Sequence, residues 1–255
     1  MSGIIDITAV LTAHAEGILA GPSLVSFDQA IESARAAGLT VEGLIVLDRP
    51  DAATRMQFTG IESSHRILLT DCGDPGLARN AAVANATGTF VGFLDGDDLW
   101  SRNWLTAAHR LCAVESETTI AHSELNVIFG QAYQMWWHVD SRDSAFDAEY
   151  LKIGNYWDAM SFAARRIYLN HPYVANNIGI GFGHEDWHWN CATLADGIDH
   201  CPVKGTVHFK RRRPGTQMQL CNTAGAVPWV TPVASYGWSI ERQAREQNKE
   251  FRETF

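Results

Sequence analysis

Clustered positive charge is scarce in this chain. Its 20 Lys and Arg residues face 29 Asp and Glu, a formal net charge of −9, whereas a nucleic-acid-binding surface needs grouped lysines and arginines. No nucleic-acid partner is therefore expected. The one basic run, Lys210-Arg211-Arg212-Arg213, stands out against the acidic background. Cysteine is also sparse. Cys72, Cys112, Cys191, Cys201 and Cys221 are odd in number, widely spaced and without a C-x-x-C pair. That pattern argues against a zinc ribbon or a disulfide framework and fits reduced thiols. No uncharged apolar stretch reaches the length of a membrane span, and Met1 to Asp6 carry neither a basic n-region nor a long apolar run. A cytoplasmic protein without a transmembrane span is expected, with peripheral membrane association left open. Neither G-x-G-x-x-G nor G-x-x-x-x-G-K-S/T occurs, so dinucleotide and P-loop phosphate binding lack support.

What is present reads as α/β. A composition 46% hydrophobic and 19% charged is that of a globular protein, and 255 residues suffice for one large α/β domain or two small ones. Ile4 to Thr12 is an apolar, β-rich run ending in the polar loop Ala13-His14-Ala15-Glu16-Gly17. From Leu24 to Ala37 the apolar spacing is helical and closes at Gly38, a C-terminal helix signal. Val41 to Leu47 and His65 to Thr70 predict further strands, each followed by acidic turn residues. Leu77 to Ala86 predicts a helix that Gly88 ends. This β-α-β-α order implies a mostly parallel sheet flanked by helices. Its strand ends should converge on one crevice that gathers His14, Asp48, Arg79 and Asp95.

That crevice receives the densest acidic cluster. Thr89 to Leu94 reads as a buried strand, and Asp95-Gly96-Asp97-Asp98 follows directly. Close carboxylates repel one another unless a cation lies between them. Such hard oxygens suit Mg²⁺ or Mn²⁺, particularly when a phosphate completes the coordination. An acidic turn capping the next helix is the alternative. Beyond about residue 106 the pattern is less regular. Trp136, Trp137, Trp157, Trp187 and Trp189 concentrate there, able either to stack on sugars or simply to fill a core. Gly179 to Gly183 leads into His184-Glu185-Asp186-Trp187-His188, which literally matches the zinc-hydrolase pattern H-E-x-x-H. That reading needs both histidines on one helix face and a third ligand, and the metzincin continuation fails at Cys191 and Leu194. Gly237 to Phe255 reads as a charged amphipathic helix.

In order, these motifs resemble the family 2 glycosyltransferases with the GT-A nucleotide-sugar fold, over roughly residues 4–216. Five features are in register: Thr12-Ala13-His14-Ala15-Glu16, Asp48, Gly76-Leu77-Ala78-Arg79-Asn80, Asp95-Gly96-Asp97-Asp98 and Glu185-Asp186. The resemblance implies an α/β domain with a Rossmann-like nucleotide-sugar-binding half at 1–105. An acceptor-binding and catalytic half at 106–216 and a C-terminal extension at 217–255 would follow. It implies Asp97 as the main ligand of Mn²⁺ or Mg²⁺, with Asp95 and Gly96 on the ribose side or Asp95 completing the metal's coordination. The loop residues Thr12, His14 and Glu16, with Asp48, would contact the base, while Arg79 and Asn80 line the nucleotide pocket of a UDP, GDP or dTDP sugar. Asp186 would be the general base of an inverting transfer to an acceptor hydroxyl, with Glu185 and Trp187 toward the acceptor. A saccharide or lipid-linked acceptor in bacterial surface polysaccharide or glycoconjugate synthesis is the family-level expectation.

The chain departs from the family pattern in three places. His14-Ala15 stands where a Tyr-Asn pair is usual, and Asp48 is followed by Arg49-Pro50. Arg213-Pro214-Gly215-Thr216 occupies a turn that often carries a histidine. An arginine there cannot ligate a metal but can pair with the diphosphate. His208, upstream, reads as an ordinary core or surface histidine. A module that holds a nucleotide sugar without transferring it is the remaining alternative.

Overall fold

The computed structural model describes residues 4–235 and Trp238. Apart from Trp238, the amphipathic helix expected at 237–255 lies outside the described residues. The first half repeats a strand–helix unit: β1 (Ile7–Ala13), α1 (Ala20–Ala36), β2 (Val41–Asp48), α2 (Ala52–Gln57), β3 (Arg66–Thr70), α3 (Pro75–Asn85) and β4 (Phe90–Asp95). β1, β2 and β4 are almost continuously buried, as strands covered by helices on both faces must be. Asp51 and Asp74 start α2 and α3 by accepting the N–H groups of Thr54 and Leu77. Pro75 fits the first turn of α3, where no N–H is needed. The strand expected from Ile4 begins at Ile7, and the helix expected from Leu24 begins four residues earlier at Ala20. Pro22, which obscures that helix start, sits within its first turn.

The second half supplies β5 (Leu99–Trp100), α4 (Trp104–Cys112), β6 (Thr119–Gly130), β7 (Gln134–Trp137), β8 (Phe162–Ala164), α5 (Arg165–Asn170), α6 (Glu185–Ala195), β9 (Asp199–Arg212) and α7 (Gln217–Ala224). Among the described residues nine strands form one sheet in the order β3-β2-β1-β4-β8-β6-β9-β5, with β7 on β6. Most of the paired length is parallel, including the long β6–β9 pairing. The three-residue β8 joins the two parallel blocks by running antiparallel to both β4 and β6. A single sheet gives one main core, in which Phe93, Trp104, Phe162, Tyr168 and Trp189 are buried. Trp157 belongs to a smaller cluster with Leu151, Cys191, Leu194 and Val233. Both Trp157 and Trp189 are thus packing residues, each holding about 2–3 kcal/mol of burial. No helix among the described residues is long and apolar enough to cross a membrane.

Two registers position the site. Thr12 lies opposite Asp95 across β1 and β4, and β5 pairs Leu99 with Phe209 of β9. The acidic turn between β4 and β5 is therefore clamped between the first strand and the last.

Candidate active site

Asp95 ends β4, and the Asp98 N–H donates to its carbonyl at 3.0 Å to close a tight turn. Gly96 sits within it. A Cβ there would lie 2.9 Å from both the Ala13 Cβ and the Thr12 carbonyl, so only glycine lets the turn rest on the end of β1. The three carboxylates then take different partners. Asp95 Oδ1 accepts from Arg79 Nη2 at 2.6 Å and Thr12 Oγ1 at 3.2 Å. Burial works to raise the Asp95 carboxyl, but the Arg79 charge overrides it and holds it below its ordinary value. Asp97 Oδ2 accepts from Arg213 Nε at 2.6 Å. Asp98 is buried, accepts from the Arg211 N–H at 2.6 Å and faces Lys210 Nζ at 3.6 Å. Burial keeps its carboxyl well above the usual range. Asp98 does not cap the next helix, whose N-cap is Asn103; it fastens the acidic turn to β9.

Asp95 Oδ2 and Asp97 Oδ1 take no hydrogen bond from any described residue, and their side chains are 26% and 13% exposed. These are hard oxygens of the kind Mg²⁺ and Mn²⁺ take, with substrate phosphates and water filling the other positions. No group of three or more His, Cys, Asp or Glu among the described residues could hold a cation alone. The two open carboxylate oxygens of Asp95 and Asp97 fit a metal whose other ligands are substrate phosphate and water.

Arg79 joins the acidic turn to the second acidic motif. Its side chain, 3% exposed, reaches Asp95 and also Glu185 Oε1 at 3.0 Å, and it lies over the Tyr173 ring. Asn176 Nδ2 completes Glu185 at 2.9 Å. α6 begins at Glu185 because His184 turns left-handed, with φ of 58°, so the positive end of the helix faces both acids. Asp186 Oδ1 accepts from the Trp187 N–H at 2.8 Å. Burial, reinforced by the Glu185 charge, pushes the Asp186 carboxyl up to about 7. A carboxyl that is half-ionised near neutrality has the proton affinity that general-base chemistry uses.

β9 brings a cation, Lys210, that sequence reasoning left unplaced. Lys210 Nζ lies 3.5 Å from Asp158 and 3.6 Å from Asp98. The only signal for it was membership of the basic run, while Asp158 sits in an irregular segment with none. Asp158 also accepts from Asn126 Nδ2 at 2.8 Å. Just past β9, Arg213 reaches back to Asp97 and, through Nη2, to Glu16 Oε1 at 3.4 Å. Glu16 is raised by its own burial and accepts from the His14 N–H at 2.5 Å. His208 is a core residue: it packs edge-on against Trp104 at 4.5 Å, and burial pushes its imidazole down to about 3.

Other expected residues face the protein. Asp48 accepts from Thr70 Oγ1, the Cys72 N–H and the Gly73 N–H at 2.7–2.8 Å, shaping the loop before α3. His14 Nδ1 donates to the Asp48 carbonyl at 2.5 Å, with the residue exposed beside the loop. Asn80 exchanges two hydrogen bonds with the Tyr173 backbone, at 2.8 and 2.9 Å. Trp187 Nε1 donates to the Leu151 carbonyl at 2.9 Å, and its ring packs on the smaller cluster. The H-E-x-x-H geometry does not form: His184 precedes the helix, His188 Nδ1 donates to the Trp229 carbonyl, and Glu185 is held by Arg79.

A mostly parallel α/β sheet whose strand ends present an acidic turn to a second acidic motif defines the GT-A nucleotide-sugar fold. Residues 26–170 match the model of glycosyl transferase family 2, and the chain belongs to that family. Solved structures share the fold. S. aureus TarS 1–349 in complex with UDP-GlcNAc is 14% identical, with a TM-score of 0.56 over 89% of this chain and 62% of that one. The mannosyltransferase PcManGT from Pyrobaculum calidifontis, in complex with GDP-Man and Mn²⁺, is 14% identical, with a TM-score of 0.57 over 86% of this chain and 60% of that one. The chain thus spans about three-fifths of these neighbours' length. No curated protein matches it. Glu185, Asp186, Lys210 and Arg213 all lie beyond the family match, so their roles rest on the geometry.

Proposed function

We propose that this chain moves a sugar from a nucleoside-diphosphate donor, of UDP, GDP or dTDP type, to an acceptor hydroxyl with inversion at the anomeric carbon. The observation that carries the reading is the Arg79 bridge, which sets Asp95 and Glu185, the neighbour of Asp186, on one guanidinium. Asp97 and Asp95 would hold Mn²⁺ or Mg²⁺. When bound, that cation supplies charge neutralisation to the departing diphosphate. Arg213 adds a planar, always-charged donor fork for the same phosphates. Thr12, His14 and Glu16 border the nucleotide side, while Asp48 and Asn80 act by shaping the loop and α3 around Arg79. Asp186 takes the acceptor hydroxyl proton as the oxygen bonds to the anomeric carbon and the bond from that carbon to the phosphate oxygen breaks. A single displacement of this kind inverts the centre. Glu185 and Trp187 fix the start of α6 beside the acceptor.

Two fold neighbours in complexes with UDP-GlcNAc and with GDP-Man and Mn²⁺ support a nucleotide-sugar donor. A saccharide or lipid-linked acceptor, used in cytoplasmic synthesis of a surface polysaccharide or glycoconjugate, extends the same reading. A thermal-shift screen of UDP, GDP and dTDP and their sugars, with and without Mn²⁺, tests it. One nucleotide should raise Tm only with Mn²⁺, and Asp97→Asn should abolish that shift. Asp186→Asn should keep binding and lose transfer. Full transfer activity in Asp186→Asn, or no metal-dependent shift with any nucleotide, refutes the assignment.

A further inference from the structure

Arg213 is shared by two carboxylates, Glu16 and Asp97, that are distant in sequence and adjacent in space. Its Nε lies 2.6 Å from Asp97 Oδ2 and its Nη2 3.4 Å from Glu16 Oε1. The three side chains are 25%, 13% and 10% exposed, half-sunk in contrast to Arg79 at 3%. Arg213 is the first residue past β9, followed by Pro214 and by Gly215 with φ of 76°. Its backbone is therefore fixed by the strand and the turn, while its side chain reaches from the edge of the site. Glu16 and Asp97 face the same guanidinium, and in its absence they would repel each other across it. The guanidinium thus stands where an external cation would otherwise be needed.

We propose that Arg213 is an exchangeable internal counter-ion that makes cation and diphosphate binding mutually dependent. This rests on the reading that Asp97 receives the divalent cation. A cation arriving alone competes with the arginine for Asp97. A diphosphate gives the guanidinium a bidentate partner of higher charge, which draws it off Asp97 and releases that carboxylate. The coupling is reciprocal, so the cation raises nucleotide affinity by the same factor that the nucleotide raises cation affinity. An acidic cleft is thereby kept from filling with a divalent cation before the donor is present.

The test is a titration of the full chain with Mn²⁺, reading free Mn²⁺ by its paramagnetic resonance signal, alone and with saturating UDP, GDP or dTDP in parallel. Wild type should bind Mn²⁺ weakly alone and more tightly with the nucleotide that fits. Arg213→Gln should bind Mn²⁺ alone about fivefold more tightly than wild type, the scale of one partly exposed ion pair, and lose most of the nucleotide-induced gain. Arg213→Lys, which keeps the charge without the fork, should fall between them. Equal Mn²⁺ affinity of wild type and Arg213→Gln without nucleotide, or an undiminished gain in Arg213→Gln, overturns the proposal. Adding Asp97→Asn to Arg213→Gln separates the two layers. Loss of Mn²⁺ binding there keeps Asp97 as the ligand whatever Arg213 does, whereas unchanged binding removes the metal assignment itself.

Discussion

Replacing Asp186 by Asn should stabilise this protein at neutral pH, and that effect can be measured without knowing donor or acceptor. Asn keeps the oxygen that accepts the Trp187 N–H at 2.8 Å and removes only the charge. Burial and the Glu185 carboxylate raise Asp186 from an ordinary 3.8 to about 7. The folded state therefore binds this proton more tightly than the unfolded chain does. Stability from the neutral carboxyl is complete below the unfolded value, falls as pH rises through about 7, and is constant beyond it. At about 1.4 kcal/mol per tenfold the ceiling is about 4 kcal/mol. Asp186 is only partly buried by area, so solvent screening brings the expected gap to about 2 kcal/mol. Urea unfolding of both proteins from pH 4 to pH 8 is the assay. Buried His208 titrates over the same range with the opposite sign, its depressed value making the fold lose stability as pH falls. The quantity of interest is therefore the difference between the two proteins at each pH. That difference should be near zero at pH 4 and open to about 2 kcal/mol by pH 8. A gap independent of pH refutes the claim that the fold raises this carboxyl, and with it the basis for Asp186 as the base.

Arg79→Met should cost about 3–5 kcal/mol in urea unfolding, because Glu185 and Asp95 lose the cation that compensates them. A loss under about 1 kcal/mol shows that the bridge behaves like an ordinary surface pair. Asp48→Asn turns an amide donor toward the Gly73 or Cys72 N–H, so it should cost about 1–3 kcal/mol. Amide exchange should accelerate at those two residues and stay unchanged in β1; uniform acceleration contradicts the loop-shaping role. Gly96→Ala drives a methyl to 2.9 Å from the Thr12 carbonyl and should cost about 1–3 kcal/mol, with Mn²⁺-dependent nucleotide binding lost. Unaltered binding shows that the turn can lift off β1 freely.

The first half was legible because its signals are local. β1, β2 and β4 announce themselves as apolar runs, and their carboxyl ends follow in sequence, so the approach of Thr12 to Asp95 is fixed by parallel pairing alone. Arg79 could be placed in the crevice, but its second partner, Glu185, lies on a different element and only packing reveals the bridge. Asn80 and Trp187 have protein partners that were hidden in the same way. Each is adjacent in sequence to a residue facing the site, and one step along a helix turns a side chain by about 100°, toward Tyr173 in one case and Leu151 in the other. Asp158 carried no pattern because its segment has no period to read. Lys210 was hidden inside a run of four basic residues. β9 presents successive side chains to opposite faces, and composition cannot say which of the four turn inward.

The clamp that β9 places on the acidic turn bears on how this protein comes into being. Arg211 meets Asp98 across 113 residues, Arg213 meets Asp97 across 116 and Glu16 across 197. Contacts of such separation form late, since the loop-closure entropy must be met before they contribute. During synthesis, Glu16, Asp97 and Asp98 emerge within the first 105 positions, yet they can close on these partners only after residue 213 has left the ribosome. If the proposed donor site is right, acquisition of nucleotide binding reports completed folding of the whole sheet, and an amino-terminal fragment holding every early motif should be unable to bind donor.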